Sequence, residues 1–253
     1  MIVFGLEAVQ LLALFDLDRT LIDLDAGFLR RAEEFAEQRR LGPEDVAWLV
    51  ALDRDVHPHR DIYFARVRER YKLAAPVKEL LAACRRRMPY LVQCYPAVPT
   101  GLAELRTRGW RVGVTTNGMP DSQLGKLRRT GLADVIDGHA VSEAEGIRKP
   151  EVDLFRIAAQ RCGGKGGWMI GDNLIADIQG AQMVGPRTIW INREPGQAKS
   201  IMPTMRSPTS SRQWPSCDQY TGKPDHAGFV HIFNTYANIL REVHLLDFHM
   251  TDQ

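Results

Sequence analysis

Two aspartates at the end of a short apolar run are the residues of this sequence best suited to chemistry. Asp16 and Asp18 lie in the segment DLDRT, residues 16–20, directly after the apolar residues 11–15. Two carboxylates at this spacing can divide labour, one attacking as a nucleophile while the other transfers a proton. The same segment also fits a solvated turn. By itself it does not decide whether the two aspartates are catalytic.

A second group of carboxylates follows another apolar run. Asp172 comes after residues 168–170, and Asp177 lies further on, about one turn into the helix predicted to begin there. Strands of an open α/β sheet end at a common crevice, which would bring these side chains close to Asp16. Such carboxylates repel each other unless a cation lies among them, and a hard, oxygen-coordinated Mg²⁺ is the expected ion. The pattern therefore predicts a magnesium site.

Two further segments offer groups that bind anions. Thr116 and Asn117 follow the apolar stretch 110–115 and precede Gly118, so a hydroxyl, an amide and main-chain N–H groups could hold phosphate oxygens there. Lys149 supplies a cation just before a predicted helix. Taken singly, the first segment also fits a plain strand-to-helix turn and the lysine fits a surface position.

The elements that must position these residues are apolar runs alternating with amphipathic stretches. The predicted strands are 11–15, 110–115, 168–170 and 188–191, and the predicted helices between them include 101–108, 152–161 and 174–184. Alternating strands and helices indicate an α/β fold with a doubly wound, Rossmann-like parallel sheet.

The chain between the first two strands has a different pattern. Its periodicity is helical throughout, with segments at 26–40, 43–53, 61–73 and 76–92. This pattern predicts an all-helical domain, residues 23–94, inserted into a core of residues 1–22 and 95–253, with hinges near Asp23 and Tyr95. Residues 196–224 are rich in Ser, Pro, Thr and Gly without a period, and we predict a flexible loop there.

Composition excludes several classes of function. The chain has 33 Lys and Arg against 31 Asp and Glu, a formal charge of +2, which is too small to indicate a nucleic-acid partner by bulk electrostatics. Four cysteines without metal-ligand spacing favour reduced thiols over a disulfide framework or a zinc site. No stretch reaches the length of about 20 apolar residues that a membrane span needs. We therefore expect a cytoplasmic protein with no membrane partner.

Together the four segments resemble the signature motifs of the haloacid dehalogenase-like (HAD) hydrolase superfamily, over about residues 11–192. The motifs are DLDRT from Asp16, VTTN ending at Asn117, Lys149 before Pro150, and GDNLIAD ending at Asp177. The helical insertion is similar to the C1 cap of that family, which opens and closes over the site.

The resemblance implies a role for each matching residue. The residues expected to act on the phosphoryl group are Asp16 as nucleophile, Asp18 as general acid and base, and Thr116, Asn117 and Lys149 as phosphate-binding groups. The expected ligands of Mg²⁺ are Asp16, the backbone carbonyl of Asp18, and Asp172. Thr20 and Asp177 are expected to support these groups without binding the ion themselves.

The implied function is a Mg²⁺-dependent phosphatase that hydrolyses a small phosphorylated metabolite through an aspartyl-phosphate. Asp18 and Asp172 favour a phosphate monoester, because dehalogenases of the family lack the second Asp and need no metal. Two alternatives stay open: a sugar phosphomutase, which returns the phosphoryl group to a substrate, and a non-catalytic binding or regulatory module that keeps the fold.

Overall fold

A parallel sheet forms the scaffold of the α/β part of the molecule. The computed structural model describes residues 11–164, 167–184 and 187–191, together with the backbone of 201–204. Within these residues the strands are β1 (Leu12–Phe15), β2 (Arg111–Thr116), β3 (Gly138–Val141), β4 (Gly167–Gly171), β5 (Arg187–Ile191) and β6 (Ile201–Thr204). Their order is β3-β2-β1-β4-β5-β6, and all are parallel except β6, which is antiparallel to β5. The predicted doubly wound α/β sheet is confirmed.

The strand order places a topological switch point beside β1. Successive strands β2 and β3 extend the sheet on one side of β1, whereas β4 and β5 extend it on the other. Phe15, the last residue of β1, is level with Val114 of β2 and Ile170 of β4. The three strands therefore end at one edge, and this crevice at the switch point is where open α/β sheets bind their ligands.

The core of this part forms where helix α8 (Val152–Cys162) packs on the sheet. Its apolar positions recur at helical spacing and meet apolar side chains of the strands, in a buried cluster that includes Leu154, Phe155, Ala158, Leu14 and Met169. The other helices among the described residues of this part are α5 (Val98–Thr107), α7 (Ser142–Glu145), α9 (Gly180–Gln182), a 3₁₀ helix at Leu132–Asp134 and a π-helix at Leu174–Gln179. This packing gives the edge of the sheet a rigid support.

The insertion after β1 is a separate compact unit of helices. They are α1 (Leu24–Arg39), α2 (Pro43–Val56), α3 (Arg60–Arg70), α4 (Val77–Arg87) and a 3₁₀ helix at Met88–Tyr90. Asp23 caps α1, since its side chain accepts a hydrogen bond of 2.9 Å from the N–H of Ala26. Phe28 and Tyr63 pack edge to face with ring centroids 5.4 Å apart, and both are buried. The helical prediction for these residues therefore agrees with the observed elements, and a role as a cap stays a prediction.

The helical unit contains one more element than the sequence indicates. It comprises Asp23–Gln93 and also Pro120–Thr130, which carries α6 (Pro120–Arg129). The core bounds predicted from the sequence, residues 1–22 and 95–253, include α6. Its Gly125 instead lies against Pro89, where an added Cβ would come within 2.8 Å of the proline ring. The absence of a side chain at Gly125 allows α6 to approach the 3₁₀ helix at Met88–Tyr90 closely. The hydrophobic periodicity of the sequence does not indicate this contact.

Two further differences concern the sheet. Residues 201–204, which lie inside the predicted loop 196–224, form strand β6, with Pro203 at the edge of the sheet where proline is tolerated. The rest of that predicted loop lies outside the described residues. Strand β3 was not predicted, because it is only 4 residues long and half of them are partly exposed. In the described part of the chain no helix is long and apolar enough to cross a bilayer.

Candidate active site

Asp16 lies at the switch point because β1 ends there. Its N–H continues the sheet by donating a hydrogen bond of 2.8 Å to the carbonyl of Ile170 in β4. The side chain is buried, with 7% of the residue exposed. A buried carboxylate is unfavourable without a partner, so the groups around Asp16 decide its charge.

Lys149 is the cation that faces Asp16. Its Nζ donates hydrogen bonds to Oδ1 of Asp16 at 2.5 Å, to Oδ1 of Asp177 at 2.6 Å and to the carbonyl of Thr115 at 2.9 Å. These are the three bonds that an ammonium group can donate. The lysine is therefore held in one position by the ends of β1 and β2 and by the π-helix.

The pKa values of this pair have opposing causes. Burial lowers the pKa of Lys149, but the Asp16 and Asp177 carboxylates outweigh burial and hold the pKa above its ordinary value, so the lysine is charged. Burial raises the pKa of Asp16 well above its ordinary value; Lys149 opposes this shift, and the Asp177, Asp172 and Asp18 carboxylates add to it. One ammonium does not balance this group of carboxylates.

The carboxylates of Asp16, Asp172 and Asp177 converge at the same edge of the sheet. Each offers an oxygen, and these oxygens all lie within 4.8 Å of one another. Three carboxylate oxygens at this separation fit a hard cation such as Mg²⁺, which binds oxygen ligands at about 2.0–2.1 Å. The donor set and its excess of negative charge thus fit the predicted ion.

Both oxygens of Asp177 already accept hydrogen bonds from nitrogen. Oδ1 accepts from Lys149, and Oδ2 accepts from the main-chain N–H of Asn173 at 3.0 Å. This engagement suits a residue that orients Lys149 better than a residue that binds an ion directly. Proximity alone would admit Asp177 as a ligand, and its hydrogen bonds favour the supporting role predicted for it.

A π-helix and a glycine bring Asp177 to this position. The N–H groups of Asp177 and Ile178 both reach the carbonyl of Asn173, at 2.9 and 3.3 Å, which widens the first turn. An added Cβ on Gly171 would lie 2.3 Å from Oδ2 of Asp177, so only glycine fits there. The sequence predicted an ordinary amphipathic helix over 174–184, whereas the described residues form a π-helix followed by α9.

The Asn117 side chain holds the main chain of Lys149. Its Oδ1 accepts a hydrogen bond of 2.9 Å from the N–H of Lys149, and its Nδ2 donates one of 3.1 Å to the carbonyl of the same residue. This pairing with the main chain of the lysine is not revealed by a short motif at the end of β2. The phosphate-binding role expected of Asn117 stays a prediction.

The remaining predicted residues lie next to this cluster. Asp18 and Thr20 belong to a tight turn after β1, closed by hydrogen bonds of 3.0 Å from the N–H of Leu21 to the carbonyl of Leu17 and of 2.9 Å from the N–H of Arg19 to the carbonyl of Ile22. Thr20 is fully buried there. Thr116 is the last residue of β2 and follows the carbonyl that Lys149 binds.

Sequence reasoning missed Trp190, which contacts the same edge of the sheet. Its indole Nε1 donates a hydrogen bond of 3.0 Å to the main-chain carbonyl of Asp172. The residue belongs to an apolar strand, and an indole there normally signals packing. The sequence gives no sign that an indole N–H in β5 will donate to the main-chain carbonyl of the residue that follows β4.

The comparisons with known proteins agree with the site. A sequence model of haloacid dehalogenase-like hydrolases matches residues 11–185, more than half of the chain. The chain belongs to this family. Both the family resemblance and the expected class of enzyme, a HAD-like hydrolase, are thereby confirmed.

Relatives of this HAD-like chain include phosphatases. It is 40% identical over 111 residues to phosphoserine phosphatase of Thermus thermophilus, covering 43% of each chain. It is 32% identical over 197 residues to ribulose-1,5-bisphosphate 5-phosphatase of Halopiger xanaduensis, covering 70% of this chain and 82% of that one. The alignments span 43%, 41% and 40% of the lengths of the first three curated relatives.

A solved structure shares the fold. The HAD-hydrolase YfnB of Bacillus subtilis, solved bound to magnesium, covers 78% of this chain and 93% of its own, with a TM-score of 0.62 and 22% identity. At this identity the similarity supports the fold alone.

Proposed function

We propose that this HAD-like chain is a Mg²⁺-dependent phosphatase that hydrolyses a small phosphate monoester through a phosphorylated Asp16. The observation that carries the proposal is the convergence of Asp16, Asp172 and Lys149 at the switch point of the sheet. Several relatives are named as phosphatases of small phosphorylated molecules, which supports the substrate class.

Different groups of the site are proposed to bind different oxygens of the phosphoryl group. Lys149 is buried and charged, and its three hydrogen bonds hold it in one position, so it presents a fixed positive charge to the phosphoryl group. The Thr116 hydroxyl and the main-chain N–H of Asn117 are the proposed donors to the other phosphoryl oxygens. Mg²⁺ bound by Asp16, Asp172 and the carbonyl of Asp18 would supply the charge that lets an anionic nucleophile approach an anionic phosphate.

The reaction then proceeds in two steps on Asp16. Its carboxylate forms a bond to phosphorus while the bond from phosphorus to the leaving oxygen breaks, and Asp18 protonates that oxygen. In the second step Asp18 takes a proton from water, the water oxygen attacks phosphorus, and the acyl phosphate bond breaks to release inorganic phosphate and regenerate Asp16.

An isosteric substitution tests this function. We expect Asp16→Asn to lower kcat for p-nitrophenyl phosphate by about 10³-fold or more, because the amide is a poor nucleophile at the reacting position. Asp137→Asn is the matched control, since the Asp137 side chain is also largely buried and is paired with Arg111 instead of Lys149. Hydrolysis by Asp16→Asn at the rate of the control would overturn the proposal.

The natural substrate is found by a screen of phosphorylated metabolites with phosphate detection. Released inorganic phosphate supports the phosphatase, whereas an isomeric sugar phosphate without phosphate release identifies the phosphomutase. Inactivity of the wild type towards every compound, at Mg²⁺ concentrations that occupy the site, would favour the non-catalytic module.

A further inference from the structure

Trp190 connects β5 to the turn that carries Asp172. In the register of the sheet, Trp190 is level with Gly171, the last residue of β4. Its indole therefore stands beside the residue that follows β4, and Nε1 lies 3.0 Å from the carbonyl oxygen of Asp172. The indole N–H can only donate, so the direction of this hydrogen bond is unambiguous.

The turn after β4 is held by its main chain at two successive residues. The carbonyl of Asp172 accepts from Trp190, and the N–H of Asn173 donates to Oδ2 of Asp177. The side chain of Asn173 then accepts from the N–H groups of Ile175 and Ala176, at 3.1 and 2.8 Å, and caps the π-helix. The first two bonds act on the single peptide group that joins Asp172 to Asn173, so they restrain the main chain next to the Asp172 carboxylate.

This restraint matters because of the charge in the cluster. Carboxylate oxygens of Asp16 and Asp172 lie within 4.8 Å of each other, so the two groups repel when both are charged and no cation lies between them. Asp172 is half-buried and could relieve this repulsion by turning towards solvent. A site whose ligands are already in place binds its ion more tightly than one whose ligands must first be gathered.

We propose that Trp190 is a positioning residue for the metal site: by holding the carbonyl of Asp172, the indole keeps the Asp172 carboxylate facing Asp16 and sets the affinity of the cluster for a divalent cation. This inference rests on the proposed function, since it concerns the same ion. The indole touches neither substrate nor ion and acts only through the main chain of Asp172.

The test measures Mg²⁺ binding without turnover. Isothermal titration of Mg²⁺ into the 253-residue protein gives Kd for the wild type, for Trp190→Phe and for the protein carrying 3-benzothienylalanine at position 190. The last residue keeps the shape of tryptophan and replaces the N–H by sulfur. We expect both substitutions to raise Kd about 10-fold, the lower end of the range for partners that orient metal ligands. Trp110→Phe, which changes a buried tryptophan directly before β2, is the control and should keep the wild-type Kd.

Kinetics supply a second readout. The Mg²⁺ concentration that gives half-maximal hydrolysis should rise in both position-190 proteins, whereas kcat at saturating Mg²⁺ should return close to the wild-type value. A purely structural loss would instead lower kcat at every Mg²⁺ concentration.

The outcomes separate this inference from the proposed function. If the wild type binds Mg²⁺ and the benzothienyl protein binds it equally well, the hydrogen bond has no role and the inference is overturned, while the phosphatase proposal stands. If the wild type gives no heat with Mg²⁺ and no activation by it, the metal site itself is refuted, and the inference is refuted with it. Should Trp190→Phe fail to fold, the benzothienyl protein still decides.

Discussion

At the scale of single residues, the chemistry of this site depends on where one buried ammonium is held. Lys149 contributes all three of its N–H bonds to fixed oxygens, two of them carboxylates. Removing one partner of such a buried ion pair leaves an uncompensated charge, which costs about 3–5 kcal/mol. The lysine side chain is therefore well restrained, and its main chain is restrained separately, by Asn117.

Asn117 supplies the first residue-scale prediction. Asn117→Ala removes both hydrogen bonds to the main chain of Lys149, each with a net value of about 1 kcal/mol. We expect kcat/KM for an aryl phosphate to fall by about 30-fold if both bonds are fully expressed in the transition state. Thr130→Ala is the control, because it also removes a side-chain hydrogen bond to a main-chain carbonyl, that of Lys126 within the helical unit. Activity of Asn117→Ala equal to that of Thr130→Ala would mean that the amide does not position the lysine.

At the scale of elements, the absence of a side chain at Gly171, the last residue of β4, leaves room for the side chain of Asp177 in the π-helix. In Gly171→Ala the new Cβ would lie 2.3 Å from Oδ2 of Asp177. Asp177 would have to move, and with it the hydrogen bonds to Lys149 and to the N–H of Asn173. We expect kcat to fall by about 10²-fold, as for a misplacement of about 1 Å in a catalytic group.

The control for this substitution is another glycine in the sheet. Gly138→Ala in β3 brings its Cβ only to 3.1 Å from the neighbouring Arg161 and Cys162, so small shifts relieve the contact. Measuring kcat and the thermal unfolding midpoint for both variants separates loss of the site from loss of the fold. Normal turnover in Gly171→Ala would show that Asp177 does not need its observed position.

The elements that position Asp16, Thr116 and Asp172 could be predicted, because strands buried on both faces are continuous apolar runs that stop at the polar residues of the site. The π-helix at Leu174–Gln179 could not, since its apolar residues fit an ordinary helix equally well. Strand β6 and the pairing of α6 with the helical unit depend on contacts between distant segments, such as Gly125 against Pro89. Periodicity carries no information about such contacts.

The same limit applies within the site. The residue types and spacing of the four motifs were sufficient to select Asp16, Asp172, Lys149 and Asp177, which the structure brings together. The hydrogen bonds of Asn117 and Trp190 to main-chain atoms could not be predicted. Every residue carries the same main-chain groups, so the sequence does not indicate which of them a given side chain will contact. Supporting interactions of this kind require coordinates.

At the scale of the whole molecule, the acidic cluster makes folding and ion binding interdependent. Carboxylates of Asp16, Asp172 and Asp177 lie together around one ammonium, and burial, together with the neighbouring carboxylates, raises the pKa of Asp16. The carboxylate form of Asp16 is thus less stable in the folded protein than in water. A cation that binds the folded chain and not the unfolded one removes this penalty and stabilises the fold by mass action.

Chelation should therefore abolish activity and lower the stability of the folded protein. We expect EDTA to remove hydrolysis of p-nitrophenyl phosphate and Mg²⁺ to restore it, with a gain of about 2.7 kcal/mol in unfolding free energy at 100 times Kd. In Asp172→Asn this gain should largely disappear, because the ion loses a charged ligand, whereas Asp153→Asn, an exposed aspartate paired with Arg156, should keep it. Denaturant unfolding with and without Mg²⁺ measures the difference in unfolding free energy. Hydrolysis of p-nitrophenyl phosphate is measured in the same samples. Full turnover after exhaustive chelation, together with equal stability in both conditions, would contradict a metal bound at this cluster, because neither the charge balance nor the chemistry would then depend on it.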